Sequence, residues 1–199
     1  MGDSNGSMYG KMAKAIANEL HLKLSVISVA AGDPLPRSSG QHPQLWVDSL
    51  GVVKREKPDF LLLVCEWQGK LKDDNGKLKT AVEELKQHAR YLILITQPPQ
   101  LPTRASRESM RNGSRPPFFE DANERAARTK SNAFVKGFQG DNVIVIDIEP
   151  LFAGDDGRIL FSSKDGNQFF QDGGHLSAIG ADLLKADVLK VMTSRRANF

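Results

Sequence analysis

The chain reads as an α/β protein, a three-layer α/β/α sandwich on a doubly wound parallel sheet. Apolar, β-branched runs alternate along it with stretches of helical periodicity, the order that βαβ units require. Those runs are nearly continuous rather than broken by polar residues at every second position, as befits strands covered on both faces. Right-handed crossovers between parallel strands then narrow the topology to a doubly wound sheet. At 199 residues, 40% hydrophobic and 26% charged, the sequence suits one domain whose core needs no covalent staples.

A helical pattern over Met8 to Leu20 comes first, followed by a strand over Leu22 to Ala30. Helix Pro43 to Lys54 leads into strand Phe60 to Trp67, and helix Lys77 to Arg90 into strand Tyr91 to Thr96. Helix Asn123 to Phe138, strand Asn142 to Ile148 and helix Ser177 to Met192 complete the order. Pro98-Pro99 and Asp155-Asp156-Gly157 carry the composition of loops. Between strand Tyr91 to Thr96 and the next helix lies a polar stretch, Gln97 to Arg128, holding Arg104, Arg107, Arg111, Arg115, Arg125 and Arg128. Loops beyond about 15 residues are uncommon in compact domains unless they act as lids, binding loops or tethers. This one leaves the carboxyl end of a strand, where open α/β sheets bind ligands. It is expected to cover a substrate or to form a mobile, solvated insertion.

A formal net charge of +3 and a pI near 9.0 suit an anionic polymer or simply describe a solvated surface, the more usual meaning of so small an excess. No Lys/Arg run or aromatic interleaving marks a nucleic-acid site, and no nucleic-acid partner is expected. The lone cysteine, Cys65, excludes an internal disulfide framework and a cysteine-based zinc cluster. Its place in an apolar run predicts a buried, inert thiol. No stretch reaches the roughly 18 apolar residues of a membrane helix. Gly2-Asp3-Ser4-Asn5-Gly6 lacks the lysine and spacing of a phosphate-binding loop. No metal or other cofactor is implied.

The chemistry sits in two short motifs at opposite ends. Ser4 follows Gly2-Asp3 and precedes a helical run, so its hydroxyl falls at a helix N-terminus, where free N–H groups favour an alkoxide and an oxyanion. Alone, Asp3-Ser4-Asn5 would read as a helix cap. Near the other end, Asp172-Gly173-Gly174-His175-Leu176-Ser177 places a carboxylate and an imidazole three residues apart, within reach of one tight turn. A serine hydroxyl needs an adjacent base to attack a carbonyl. Imidazole titrates close enough to neutrality to take that proton and later return it. Asp172 would hold one tautomer and stabilise the imidazolium. His21, His42 and His88 lie in or beside predicted helices without such a turn and read as surface histidines. Ser177 reads as the cap of the last helix. Asp147 and Glu149 share a face at a strand's carboxyl end but lack the partners of a metal or glycosidase site, and they are not assigned to catalysis.

The order Ser…Asp…His, with Gly2-Asp3-Ser4 and the Asp172 to His175 cluster, resembles the SGNH hydrolase superfamily, also called GDSL esterases. Ala31-Gly32-Asp33-Pro34-Leu35, Val64-Cys65-Glu66-Trp67 and the run Asp172 to Ala181 resemble in particular the SGNH domain fused behind membrane acyltransferases that O-acetylate cell-envelope polysaccharides. The likeness spans essentially the whole chain. It implies a flavodoxin-like SGNH fold and a Ser4–His175–Asp172 triad, with oxyanion donors at the backbone N–H groups of Ser4 and Gly32. It also implies Trp67 as a substrate contact. The family's Gly-x-Asn-Asp block, a further oxyanion donor, is replaced here by Cys65-Glu66-Trp67-Gln68-Gly69, and Glu66 stands where those relatives tend to have a basic residue.

The implied activity is acyl transfer from an ester donor, with an acetyl group passing to water or to a carbohydrate acceptor. The alternative is a weakly active or inactive carbohydrate-binding or scaffolding domain on the same frame. In that fold the strand before Gly-Asp-Ser is central, and only Met1 precedes the motif here. An empty slot would part its neighbours by two strand spacings, about 10 Å, and leave backbone groups unpaired. Either the domain lacks its first strand because the native chain extends upstream, joined to a membrane acyltransferase domain, or another segment fills the slot. A fragment of a membrane acyltransferase implies an extracytoplasmic setting, and a free-standing esterase with the same triad a cytoplasmic one.

Overall fold

The computed structural model describes residues 1–37, 42–154 and 156–197, with Arg107 described by its backbone alone. The elements are α1 (Ser4–Ser7), α2 (Gly10–Glu19), α3 (Leu45–Glu56), β1 (Phe60–Leu63), α4 (Trp67–Lys70), α5 (Gly76–Leu85) and β2 (Tyr91–Ile95). After a 3₁₀ turn over Thr103–Ala105 come α6 (Arg107–Arg111), β3 (Phe118–Phe119), α7 (Ala122–Lys136), β4 (Val143–Ile146), α8 (Glu149–Phe152), β5 (Arg158–Ile159), α9 (Ala178–Asp182) and α10 (Lys185–Arg196). They form two compact units assembled from separate stretches. The first takes Met1–Ser7, Ser25–Thr96 and Ser131–Ile146; the second takes Met8–Leu24, Gln97–Lys130 and the chain from Asp147 onward.

The first unit is built on a parallel sheet in which β2 lies between β1 and β4. Phe60 to Leu63 pair with Tyr91 to Leu94, and Leu92 to Ile95 pair with Val143 to Ile146. Because β2 has a neighbour on each side and is buried at every position, its Tyr-Leu-Ile-Leu-Ile run is apolar on both faces. On the other side of β1, Met1 and Gly2 take the place of a strand. Gly2 bridges Ser28 and Val64 in parallel. The Met1 ammonium donates to Leu62 O at 2.9 Å, Val64 N–H to Met1 O at 3.1 Å, and Gly2 N–H to Ile27 O at 3.0 Å. Numbered by chain order, the positions across the sheet run 2-1-3-4-5, the flavodoxin-type doubly wound order. Met1 and Gly2 stand at the position next to β1 where the domain's first strand is expected.

Two strand expectations need correction. Over Leu22 to Ala30 only Ser28 makes a bridge, and Leu24 and Val26 are 40% and 57% exposed. The bonds that this stretch makes to the sheet are those of Ile27 O and Val29 N–H with Gly2. The strand expected over Phe60 to Trp67 ends at Leu63 because Glu66 caps α4 and turns Trp67 into a helix. The core of this unit joins Leu61, Leu63, Leu92 and Leu94 of the sheet with Trp46 and Val53 of α3 and Val135 of α7. Helix α5 adds Leu78, Ala81, Val82 and Leu85, the spacing of one helical stripe.

The second unit has an aromatic core. Strands β3 and β5 pair antiparallel, Phe118 opposite Ile159 and Phe119 opposite Arg158. Phe118 meets Phe161 edge-on at 5.1 Å, Phe161 stacks on Phe170 at 6.5 Å, and Phe152 meets Phe170 at 5.6 Å. Gln97 to Arg128, expected as a lid or a solvated insertion, is therefore folded around Phe118. Its far end is anchored by Arg128, which is fully buried and donates to both Glu120 oxygens at 2.8 Å and to Glu149 at 3.1 Å. The helix expected over Ser177 to Met192 is split into α9 and α10, where the Leu183 and Leu184 N–H groups bond three residues back. Asp155, in the predicted Asp155-Asp156-Gly157 loop, lies outside the described residues. No described helix is long and apolar enough to cross a membrane.

Candidate active site

In the first unit the chain leaves Gly2 and turns at once into α1. Glycine is required at Gly2 and Gly6, where a Cβ would stand 2.0 and 2.9 Å from Val64 O. Asp3 is buried; its Oδ1 accepts Asn5 N–H at 2.8 Å and its Oδ2 accepts Glu66 N–H at 3.0 Å. One carboxylate thus caps α1 and ties the Ser4 turn to the end of β1. Burial raises the Asp3 pKa above its ordinary 3.8, against the lowering effect of these N–H bonds. Ser4 opens α1, half-buried, just beyond the carboxyl end of the position occupied by Gly2. That position and β1 flank the point where the strand order reverses, the usual ligand crevice of a doubly wound sheet.

Two residues expected beside Ser4 are committed elsewhere. The N–H of Gly32, the expected oxyanion donor, donates to Val29 O at 3.0 Å within a turn that Ala31 enters at φ 57°. Trp67, the expected substrate contact, is fully enclosed, and its Nε1–H donates to Ile95 O at 2.7 Å. It pins the end of β1 to the end of β2 and offers a ligand no surface. Glu66 caps α4, its two oxygens accepting Gly69 N–H at 2.8 and 3.0 Å. Cys65 is buried, and burial pushes its thiol pKa well up.

In the second unit Asp172 and His175 form a dyad in one turn. Imidazole Nδ1 lies 2.7 Å from Asp172 Oδ1 and 3.0 Å from Oδ2. The same Oδ1 accepts the N–H groups of Gly174 and His175, both at 3.0 Å. Donation from Nδ1–H leaves the lone pair on Nε2, the tautomer a general base needs. The imidazole is 32% exposed. Partial burial works to raise the Asp172 pKa, but the N–H bonds and the imidazole outweigh it and hold the carboxyl below its ordinary 3.8.

Hydrogen bonds anchor both flanks of this turn. Leu101 N–H donates to Gly173 O at 2.8 Å, and Leu176 N–H to Met8 Sδ at 3.2 Å. Ser177 caps α9 by accepting Gly180 N–H at 3.1 Å. Asp147 Oδ1 accepts Glu149 N–H at 3.2 Å while Glu149 holds Arg128, so both carboxylates have structural work. His21 and His42 are exposed, and His88 lies 3.7 Å from Glu84. Sequence reasoning missed Met8 and the positioning role of Asp3. The place of Asp3 inside the motif was the available signal for the latter.

The family model of the SGNH domain fused to AT3 domains matches residues 1–190. Among solved structures, the periplasmic domain of the lipopolysaccharide acetyltransferase of Salmonella ser. Paratyphi A superposes with a TM-score of 0.72 at 14% identity, covering 96% of this chain and 81% of that one. A carbohydrate esterase of family 3 from Talaromyces cellulolyticus superposes with a TM-score of 0.54 at 13% identity, covering 100% and 97%. Both likenesses are of fold. No curated protein matches the sequence significantly.

Proposed function

Because this chain belongs to the family of SGNH domains fused to AT3 domains, we propose that it carries out serine-dependent acyl transfer on carbohydrate esters. Ser4 is the nucleophile, His175 the general base and acid, and Asp172 the group that orients and stabilises the imidazole. Ser4 Oγ attacks the acyl carbonyl while His175 Nε2 takes its proton. The tetrahedral intermediate collapses, the proton passes to the departing oxygen, and an acyl-serine is left. Water or a sugar hydroxyl then attacks, giving its proton to His175, and the acyl group leaves Ser4 as that proton returns to Oγ.

The observation that carries this reading is the Asp172–His175 pair at 2.7 Å; with the carboxylate as acceptor, the imidazole would carry its proton on Nδ1. The family and the place of Ser4 at the strand-order reversal support it. The acceptor we favour is a cell-envelope polysaccharide, as the name of the Salmonella protein suggests for that relative. The setting we favour is extracytoplasmic, beside a membrane acyltransferase domain. A second reading, a carbohydrate-binding or scaffolding domain, is favoured by one observation: the expected donor Gly32 already bonds Val29. Loss of one oxyanion donor costs about 10²–10³ in turnover, so the enzyme is expected to be slow on simple esters.

Release of p-nitrophenol from p-nitrophenyl acetate separates the two readings. Hydrolysis above background that disappears in Ser4→Ala supports acyl transfer. Equal background rates from both proteins support the binding role.

A further inference from the structure

Four arginines stand between β2 and β3, at 104, 107, 111 and 115, against one acidic residue, Glu108. Three of them, Arg104, Arg111 and Arg115, present exposed side chains in the second unit. Two are held by the fold of their own segment. The Arg104 guanidinium lies over the Phe118 ring at 5.2 Å, and its Nη2–H donates to Pro117 O at 2.9 Å. Arg115 Nη1–H donates to Met110 O at 2.7 Å and to Ser114 O at 2.8 Å. Arg111 ends α6, next in the chain to that Met110 carbonyl. Glu108 is exposed on the same short helix; the nearby Glu120 is buried and paired with Arg128. The segment therefore presents two fixed cations and the exposed Arg111 with no equal complement of anions. A guanidinium already immobilised by one edge loses little further freedom when another edge takes an anion, and its planar fork matches a carboxylate bidentately.

We infer that the segment from Thr103 to Pro117 is a docking surface for an acidic polysaccharide, its uronate carboxylates seated on Arg104, Arg111 and Arg115. The choice of a polysaccharide rests on the acyl-transfer reading; the demand for an anion rests on the arginines alone. The surface gives a reason for the arginine density that the Phe118 core does not, since Arg111 is exposed and neither Phe118 nor Pro117 is held by it.

The test is calorimetric binding of polygalacturonate oligomers, with the fully methyl-esterified oligomers as the uncharged control, at low and high salt. Expected are binding of the acid form only, weakening with salt as exposed charge pairs do, and a loss of about fivefold or more in affinity for Arg111→Glu. Arg111→Lys, which keeps the charge but loses the planar fork, should bind more weakly than the parent and more tightly than Arg111→Glu, and both variants should melt as the parent does. Ser4→Ala should bind like the parent, so failure of the acyl-transfer reading and failure of this one are told apart. Equal binding of the esterified oligomers, or no effect of Arg111→Glu, overturns the proposal. Tighter binding of a single-stranded oligonucleotide, or of phosphatidylglycerol vesicles, than of polygalacturonate overturns it in favour of that polyanion.

Discussion

Asp172 accepts three kinds of N–H, from the imidazole, from Gly174 and from its own partner's backbone. It therefore sets the tautomer of His175 and the shape of the turn together. Asp172→Asn keeps the size of the side chain but sets an amide against Nδ1–H or against the backbone donors. Esterase activity is expected to fall about 10³–10⁴-fold with the fold retained, checked by p-nitrophenyl acetate turnover beside circular dichroism. The pH dependence has a definite sign. The Asp172 pKa is lower folded than its ordinary 3.8, so its stabilising contribution is complete above that value and is lost as pH falls through the folded one. Thermal melts of parent and Asp172→Asn should differ at neutral pH and converge in strong acid. Both motif residues were legible from the sequence because three residues is the reach of one turn. The commitment of Gly32 to Val29 was not, since a backbone N–H carries no sign of its acceptor in the residue's identity.

The junction of Gly2, β1 and α4 is where elements decide the geometry around Ser4. Gly2 bridges two strands with no room for a side chain, its Cβ position falling 2.0 Å from Val64 O. Asp3 joins the turn to Glu66, which caps the helix whose Trp67 bonds Ile95. Gly2→Ala is expected to cost about 2 kcal/mol or more, since a backbone carbonyl cannot step aside as a flexible side chain does. It should also reduce turnover by moving Ser4; urea unfolding and esterase assays on one preparation check both. Strands β2 and β4 were readable because both their faces are covered and so both must be apolar. The run over Leu22 to Ala30 is also rich in apolar and β-branched residues, yet it forms no regular strand beyond its bridge at Ser28. Composition reports the capacity for a ladder, and a ladder forms only where a partner strand lies alongside.

At the scale of the whole molecule, the second unit depends on one buried ionic group. Arg128 and the Glu120 side chain are 0% and 1% exposed, with Glu149 at 25%, and Glu120 also accepts Gln100 N–H at 3.0 Å. This group ties the start of the Gln97 segment and α7 to α8. Arg128→Met would leave the Glu120 carboxylate buried and unpaired, a loss of about 3–5 kcal/mol. Arg128→Met combined with Glu120→Gln should recover most of it, because the amide oxygen still accepts from Gln100 and no charge stays buried. Denaturant midpoints of the two variants against the parent test this, and equal midpoints for all three would show the group to be energetically idle.

The order of elements, the parallel sheet and the two motifs could be read from residues alone, because burial on both faces, helical periodicity and a three-residue turn each leave a local trace. The aromatic core around Phe118 left none: Phe161 and Phe170 come from other stretches of the chain, and only folding brings them together. The Arg128 cluster is of the same kind, since a buried arginine looks like a surface one until the carboxylates 8 and 21 residues away are seen against it. Trp67 is the sharpest case. Its identity suited a ligand contact as well as a core position, and its enclosure beneath the ends of β1 and β2 leaves its indole N–H to a backbone carbonyl. Local chemistry thus names the candidate groups, while long-range packing determines which of them a ligand can touch.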